Sequence, residues 1–183
     1  MARAFIAVQP PPVVLDAIEA RVGSVPMPGA RRPPREQWHL TVQFLGNDAD
    51  VDAVAGALER EPLDAGPGRL RLSGAGALRG RRRGRLLVLS LYEGAEWMHE
   101  VCMQVERRLA PLGYARDDRD QEFLPHLTLA RFREPTDVRA MSAAVGAEPF
   151  DPAWTADEVV LFESTLGSER AVHRECARIP TGS

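Results

Sequence analysis

Trp38-His39-Leu40-Thr41-Val42-Gln43-Phe44-Leu45-Gly46 and Phe123-Leu124-Pro125-His126-Leu127-Thr128-Leu129-Ala130-Arg131-Phe132 are the two stretches whose reading decides the fold. Polar and apolar residues alternate in both, the pattern of a strand with one buried face. His39, Thr41 and Gln43 are expected on one face and Leu40, Val42 and Phe44 on the other; His126, Thr128 and Ala130 oppose Leu127 and Leu129 in the same way. The words His-Leu-Thr-Val and His-Leu-Thr-Leu stand 87 positions apart. A helical pattern precedes each word and a helix and strands follow it, so a whole supersecondary unit is repeated.

Working outward from the first word, Arg3-Ala4-Phe5-Ile6-Ala7-Val8 reads as a strand stopped by Pro10-Pro11-Pro12, and Val13, Val14, Ala17, Ile18 and Val22 recur at helical spacing. Residues 26–36 are rich in Pro and Arg without periodicity and read as a surface loop. Beyond the word, Asp48 or Asp50 caps a helix carrying Val51, Val54, Ala55 and Leu58. Leu70–Leu78 and Arg85–Tyr92 are strands on either side of the basic loop Arg79-Gly80-Arg81-Arg82-Arg83-Gly84-Arg85. Trp97, Val101, Val105 and Leu109 then mark a long amphipathic helix. After the second word, the pattern predicts a short helix opening at Pro135-Thr136-Asp137 and running through Val145, with Val159–Ser164 and Ala171–Ile179 as closing strands.

The 183 residues, 44% of them apolar, suffice for a packed core and exclude a disordered chain. No apolar run is long enough for a membrane helix, and no leader-like segment opens the chain, so a cytoplasmic location is expected. Cys102 and Cys176 are read as buried reduced thiols. All 23 basic residues are Arg, which excludes a Schiff base, a P-loop lysine or a lysine-adenylate ligase. Residues 1–91 hold 13 Arg against 9 acidic residues, whereas residues 92–183 hold 10 against 17, so the first half has the better claim to an anionic ligand.

If the two repeats pack about a pseudo-twofold, their His–Thr pairs meet across a cleft, and two imidazoles flanked by two hydroxyls suit phosphoryl chemistry. Imidazoles with an ordinary pKa of about 6.5 supply a general base and a general acid near neutrality. Threonine hydroxyls can donate to the oxygens where charge builds up at phosphorus. Neither role needs a cofactor or metal. A zinc site would need further ligands at short spacing, which neither His39 nor His126 has, and Ser90, Ser164 and Cys102 lack the surroundings of a nucleophile.

The two His-x-Thr-x words, with Arg3–Val8, Trp38–Gly46, Pro125–Arg131 and Leu161-Phe162-Glu163-Ser164 around them, resemble the two-histidine phosphoesterase superfamily. Within it the chain is similar to the bacterial RNA 2',3'-cyclic phosphodiesterases, a family earlier described as 2'-5' RNA ligases. The resemblance implies an α+β fold of two pseudo-symmetric lobes, each an antiparallel sheet with helices outside, with the active site in the groove between them; residues 1–183 would form a single bilobal domain. It implies hydrolysis of a terminal 2',3'-cyclic phosphate on RNA to a 2'-phosphate. His39 would be the proton donor to the departing 3'-oxygen and His126 the acceptor that activates water. Thr41 and Thr128 would hold the phosphate, and Arg131 would assist.

Trp38 and Phe44 are candidates to stack a base, although parity sends Phe44 toward the core. Arg31, Arg32, Arg35 and the Arg79–Arg85 loop are candidates for RNA phosphates, with a solvated basic turn as the plain alternative for the loop. His99 and His173 have no partner word and are read as structural by default, with His173 a minor candidate for substrate contact because the resemblance places it where members of the family often carry an aromatic. The expected partner is RNA ending in a 2',3'-cyclic phosphate or a cyclic nucleotide, with no membrane, no cofactor, no metal and a monomeric state. The alternatives are 2'-5' ligation of tRNA halves, action on a small cyclic nucleotide, and a non-catalytic RNA- or nucleotide-binding module.

Overall fold

The computed structural model describes residues 2–80, 82–115, 122–166 and 171–182. Strands β1 (Arg3–Val8), β2 (Ala30–Arg31) and β3 (Leu40–Phe44) alternate with helices α1 (Pro12–Val22) and α2 (Val51–Leu58). A hairpin of β4 (Gly68–Ala77) and β5 (Arg83–Glu93) leads to α3 (Ala95–Leu109), then β6 (His126–Asp137) and α4 (Arg139–Val145). The chain closes with β7 (Trp154–Ala156), β8 (Glu158–Leu166) and β9 (Ala171–Pro180).

All nine strands join one antiparallel sheet in the order β7-β4-β5-β6-β3-β1-β8-β9, with β2 added on β6. The class is α+β, as expected, and the strands form one continuous antiparallel sheet with two wings that meet at β3 and β6. Each wing draws on both halves of the sequence. The β4–β5 hairpin that follows the first word pairs with β6 of the second, while the β8–β9 hairpin that follows the second word pairs with β1, next to β3. The repeated words thus lie on neighbouring strands, and Leu40 pairs with Leu127 where the wings meet.

Helix positions follow local chemistry. Pro12 stands at the start of α1, where its missing N–H costs nothing. The Asp50 carboxylate accepts a hydrogen bond from the Ala53 N–H at 3.0 Å and caps α2. Gly94, with a φ of 94°, makes the left-handed turn into α3, where a β-carbon would also strike Leu70. The stripes Val14/Ile18/Val22 of α1, Val54/Leu58 of α2, Met98/Val101/Val105/Leu109 of α3 and Met141/Val145 of α4 belong to one apolar core. That core includes Ile6, Val8, Leu40, Val42, Leu127 and Leu129 from the strands. Each such side chain contributes about 1.5–3 kcal/mol by leaving water, so the core is what holds the central strands in register.

A smaller apolar cluster, Phe5, Ala7, Val160 and Phe162, forms separately from the main core. Alternation puts Ala4, Ile6 and Val8 of β1 in the main core and Phe5 and Ala7 in this second cluster, so the two clusters occupy opposite faces of the sheet. The second cluster is the floor on which the candidate site is built. Cys102 is buried outside any disulfide, and its thiol donates to the Val42 carbonyl at 3.4 Å; Cys176, also in no disulfide, is only half-buried, because it lies on the outer strand β9.

Candidate active site

A cavity of about 750 Å³ opens over the meeting of the two wings. Its lining includes His39, Thr41, Thr128, Arg131, Trp38 and Phe44 among the residues expected at a site. His126 lies two residues before Thr128 on β6 and is not among the lining residues; in its protonated form it lowers the pKa of His39. Leu40 pairs with Leu127, and the antiparallel rule carried one residue to either side of that pair sets His39 across from Thr128 and Thr41 across from His126. The two histidines therefore stand on one diagonal of a four-residue square and the two threonines on the other.

Each imidazole is held in the same way. His39 Nδ1 lies 2.7 Å from the carbonyl of Gln37, and His126 Nδ1 lies 2.7 Å from the carbonyl of Leu124, two residues upstream in both cases. A carbonyl can only accept, so Nδ1 carries the hydrogen in both rings and Nε2 of each neutral imidazole keeps its lone pair. The Gln37 side chain in turn donates through Nε2 to the carbonyl of Ala171 at 2.5 Å, tying the His39 segment to β9.

Phe5 supports His39 from below, with ring centroids 4.8 Å apart in a stacked pair. His173 meets Phe5 edge-on at 4.9 Å and His39 edge-on at 5.7 Å, and it lines the cavity. His99 contacts Phe123 at 5.1 Å and is not part of the lining.

The electrostatics are those of a positive, partly dry pocket. Burial pushes His39 down to about 4, with His173, Arg131 and His126 adding to the effect and the Gln37 carbonyl opposing it. His126 is also lowered, by burial first and then by Arg131 and Arg79, against the Leu124 carbonyl. His173 is lowered by burial, Arg3 and Arg131. Both imidazoles are thus pushed toward the neutral form, in which Nε2 keeps its lone pair, and an anion in the cavity would favour their protonated forms. Among the described residues no three His, Cys, Asp or Glu side chains gather as metal ligands would.

One expectation is corrected. Parity put Gln43 on the site face and Phe44 toward the core; instead Gln43 is 2% exposed and Phe44 is 48% exposed and lines the cavity. The cause is a bulge. Ile6 pairs with Gln43 but Ala7 with Thr41, leaving Val42 as an extra residue on β3, and alternation reverses beyond it. The buried Gln43 amide donates to the Tyr114 carbonyl at 2.9 Å. The second word behaves alike: Leu87 pairs with Ala130 but Val88 with Thr128, so Leu129 is the extra residue, Ala130 is buried and Arg131 turns to the cavity.

Trp38 is only 4% exposed and belongs to the core, so it forms part of the wall. Arg32 donates to the carbonyls of Val22 and Gly23 at 3.2 and 3.4 Å, and Arg35 pairs with Asp16 at 2.5 Å. In the basic loop, Arg79, Arg83 and Arg85 donate to the carbonyls of Glu122, Pro135 and Arg133, and none of them lines the cavity. Arg81 lies outside the described residues. Sequence reasoning did not assign Arg3 or Phe5 to the site. Their signal was their place in an alternating strand, which shows a face but not what that face meets.

Comparison with known proteins gives a consistent picture. The pattern of the 2'-5' RNA ligase superfamily matches residues 10–167. A protein of Aeropyrum pernix named RNA 2',3'-cyclic phosphodiesterase is 28% identical over 106 residues, which are 58% of this chain and 59% of that protein. The protein of that name from Methanocaldococcus jannaschii is 24% identical over 131 residues, 72% of each chain. The crystal structure of E. coli LigT complexed with 3'-AMP has the same fold, with a TM-score of 0.73 at 19% identity over 98% of this chain and 97% of that one.

Proposed function

The chain belongs to the 2'-5' RNA ligase superfamily, and on that premise we propose that it hydrolyses the 2',3'-cyclic phosphodiester at an RNA end to a 2'-phosphomonoester by histidine acid–base catalysis. The observation that carries this reading is the square of two histidines and two threonines around the Leu40–Leu127 pair, with both Nδ1 atoms committed to carbonyls. The names of the Aeropyrum and Methanocaldococcus relatives support the substrate. The 3'-AMP in E. coli LigT supports a nucleotide as the occupant, and a cavity of about 750 Å³ has room for one.

In this mechanism His126 Nε2 takes a proton from water as the water oxygen attacks phosphorus. His39, protonated at Nε2, gives its proton to the departing 3'-oxygen. The P–O3' bond breaks, the phosphate stays on the 2'-oxygen, and exchange with solvent returns the proton from His126 to His39. The diagonal placement keeps the two transfers on separate sides of the phosphate, as attack and departure in line require. The hydroxyls of Thr41 and Thr128 and the guanidinium of Arg131 hold the non-bridging oxygens. The low pKa of His39 makes its protonation depend on the arriving anion, so the acid forms where substrate is bound.

The test is incubation with an oligonucleotide ending in a 2',3'-cyclic phosphate, with and without EDTA, and assignment of the phosphate position in the product. A 2'-phosphate formed at the same rate in both conditions is expected. A 3'-phosphate, no hydrolysis, or activity abolished by EDTA and restored by one metal would overturn the mechanism.

A further inference from the structure

Three of the arginines around the cavity, Arg3, Arg31 and Arg131, have no ion pair with any described residue, whereas Arg35 is paired with Asp16 and Arg32 is bound to carbonyls of α1 and the turn after it. The three stand close enough for Arg3 and Arg31 to act on Arg131, whose pKa falls below its ordinary value through burial and then their charges. The placement is built by the backbone. β2 is only Ala30–Arg31, and its register on β6 sets Ala30 against Phe132 and Arg31 directly against Arg131. Like charges opposite one another across a strand pair are destabilising in the absence of a counter-charge.

Arg3 is held from the other side. Its guanidinium lies 5.0 Å from the ring centre of Phe44, the residue that the β3 bulge turns to the cavity. The acidic residue in the lining is Glu19 of α1, which lies at the Gly23 end, beside the position a β-carbon on Gly23 would take. A cyclic phosphodiester carries one negative charge, which Arg131 and the two threonines already answer. Arg3 and Arg31 leave two further positive charges facing the same cavity.

We infer that Arg3 and Arg31, with Arg131 shared between them and the reacting phosphate, form a second phosphate subsite that takes the phosphate on the 5'-oxygen of the nucleotide being cleaved. This rests on the proposed function and makes its substrate class narrower: the preferred substrate carries a phosphate on both ends of the terminal nucleoside. Arg31 and Arg131 offer forked donors to neighbouring oxygens, and the phosphate supplies the counter-charge that their cross-strand pairing lacks. The same chemistry serves a 5'-phosphomonoester and the diester that links the terminal nucleotide to an RNA chain.

The experiment compares kcat/KM at fixed ionic strength for adenosine 2',3'-cyclic phosphate, the same compound with a 5'-phosphate, and the dinucleotide ending in a 2',3'-cyclic phosphate. Roughly a tenfold to hundredfold gain is expected from the second phosphate, mainly in KM, as charge-assisted hydrogen bonds give. A gain with the dinucleotide identifies the subsite as one for the RNA backbone; a gain with the monoester alone identifies it as one for a free nucleotide. Arg3→Gln and Arg31→Gln should each bring the ratio toward one, while Arg60→Gln, an equal change of charge outside the cavity lining, should leave it unaltered. Equal kcat/KM for all three substrates would overturn the subsite and leave the proposed function standing.

Failure of all three substrates would instead count against the proposed function. Calorimetric titration with adenosine 2'-monophosphate and adenosine 2',5'-bisphosphate then decides the subsite without turnover. Binding of the bisphosphate at least about tenfold tighter, lost in Arg31→Gln of unchanged melting temperature, supports it. Equal affinities overturn it.

Discussion

Phe44 and Arg131 hold equivalent places, each five residues beyond the histidine of its word and each turned to the cavity by a one-residue bulge, at Val42 in one strand and Leu129 in the other. The duplicated scaffold delivers an aromatic ring at one position and a guanidinium at the other. The ring has Arg3 over its face, and the guanidinium acts on both His39 and His126. The two sides of the square therefore share a backbone but not a charge.

His39→Ala and His126→Ala should each lower kcat by about 10²–10⁴, the range for removing one acid or base. If the two groups act in one proton relay, as proposed, the double variant should be little worse than the poorer single one. Single-turnover rates on a cyclic-phosphate oligonucleotide check this. Costs that simply multiply would mean that the histidines act independently.

Thr41→Val and Thr128→Val remove a hydroxyl at nearly constant volume and should each cost about 10²-fold, mainly in kcat, by taking one donor from the developing charge. The register that puts Thr41 beside His126 and Thr128 beside His39 predicts similar losses for the two. A loss confined to KM would show that the hydroxyls bind the ground state only.

The words themselves were legible because period-two alternation is local: His39, Thr41, His126 and Thr128 needed only the pleat of a strand. Phe44 and Gln43 were not, because a bulge depends on the partner strand, and nothing in Thr41-Val42-Gln43 records that Ile6 and Ala7 skip a residue. The strands were legible from composition, but their order was not. That β4–β5 joins β6 and β8–β9 joins β1 is decided by long-range pairing between hairpins of similar pattern. Arg31 was visible as one of several arginines in a Pro-rich loop, and only its register against Arg131 sets it apart from Arg32 and Arg35.

The pH dependence follows from the lowered histidines. The profile of kcat/KM reports the free protein, where burial places His39 at about 4 and lowers His126, so its alkaline limb should lie below about 6.5, the ordinary imidazole value. In the complex the bound anion raises both groups, and the alkaline limb of kcat should move to higher pH. A limb for kcat/KM well above 6.5 would contradict the buried, cationic setting.

Stability should follow the same groups. The unfolded chain takes up a proton at His39 near pH 6.5 and the native one only near pH 4, so between these values the unfolded state holds more protons and stability rises with pH. The contribution, about 3 kcal/mol from this histidine, is fully present above 6.5 and is lost as pH falls to 4. Urea unfolding from pH 4 to 8 should show this slope, and His39→Gln should flatten it. An unchanged slope in that variant would place the titration elsewhere.

Arg131→Gln separates electrostatic tuning from phosphate binding. Arg131 lowers the pKa of both His39 and His126, so removing its charge should raise both and shift the alkaline limb of kcat/KM upward. At the same time kcat/KM at its optimum should fall by about 10²-fold, because one charged donor to the phosphate is gone. Phe44→Leu alters the equivalent position on the other strand, where no charge is lost, and should leave the limb in place. If Arg131→Gln lowered activity without moving the limb, its guanidinium would be acting on substrate alone. If the limb moved with activity intact, its role would be confined to the imidazoles.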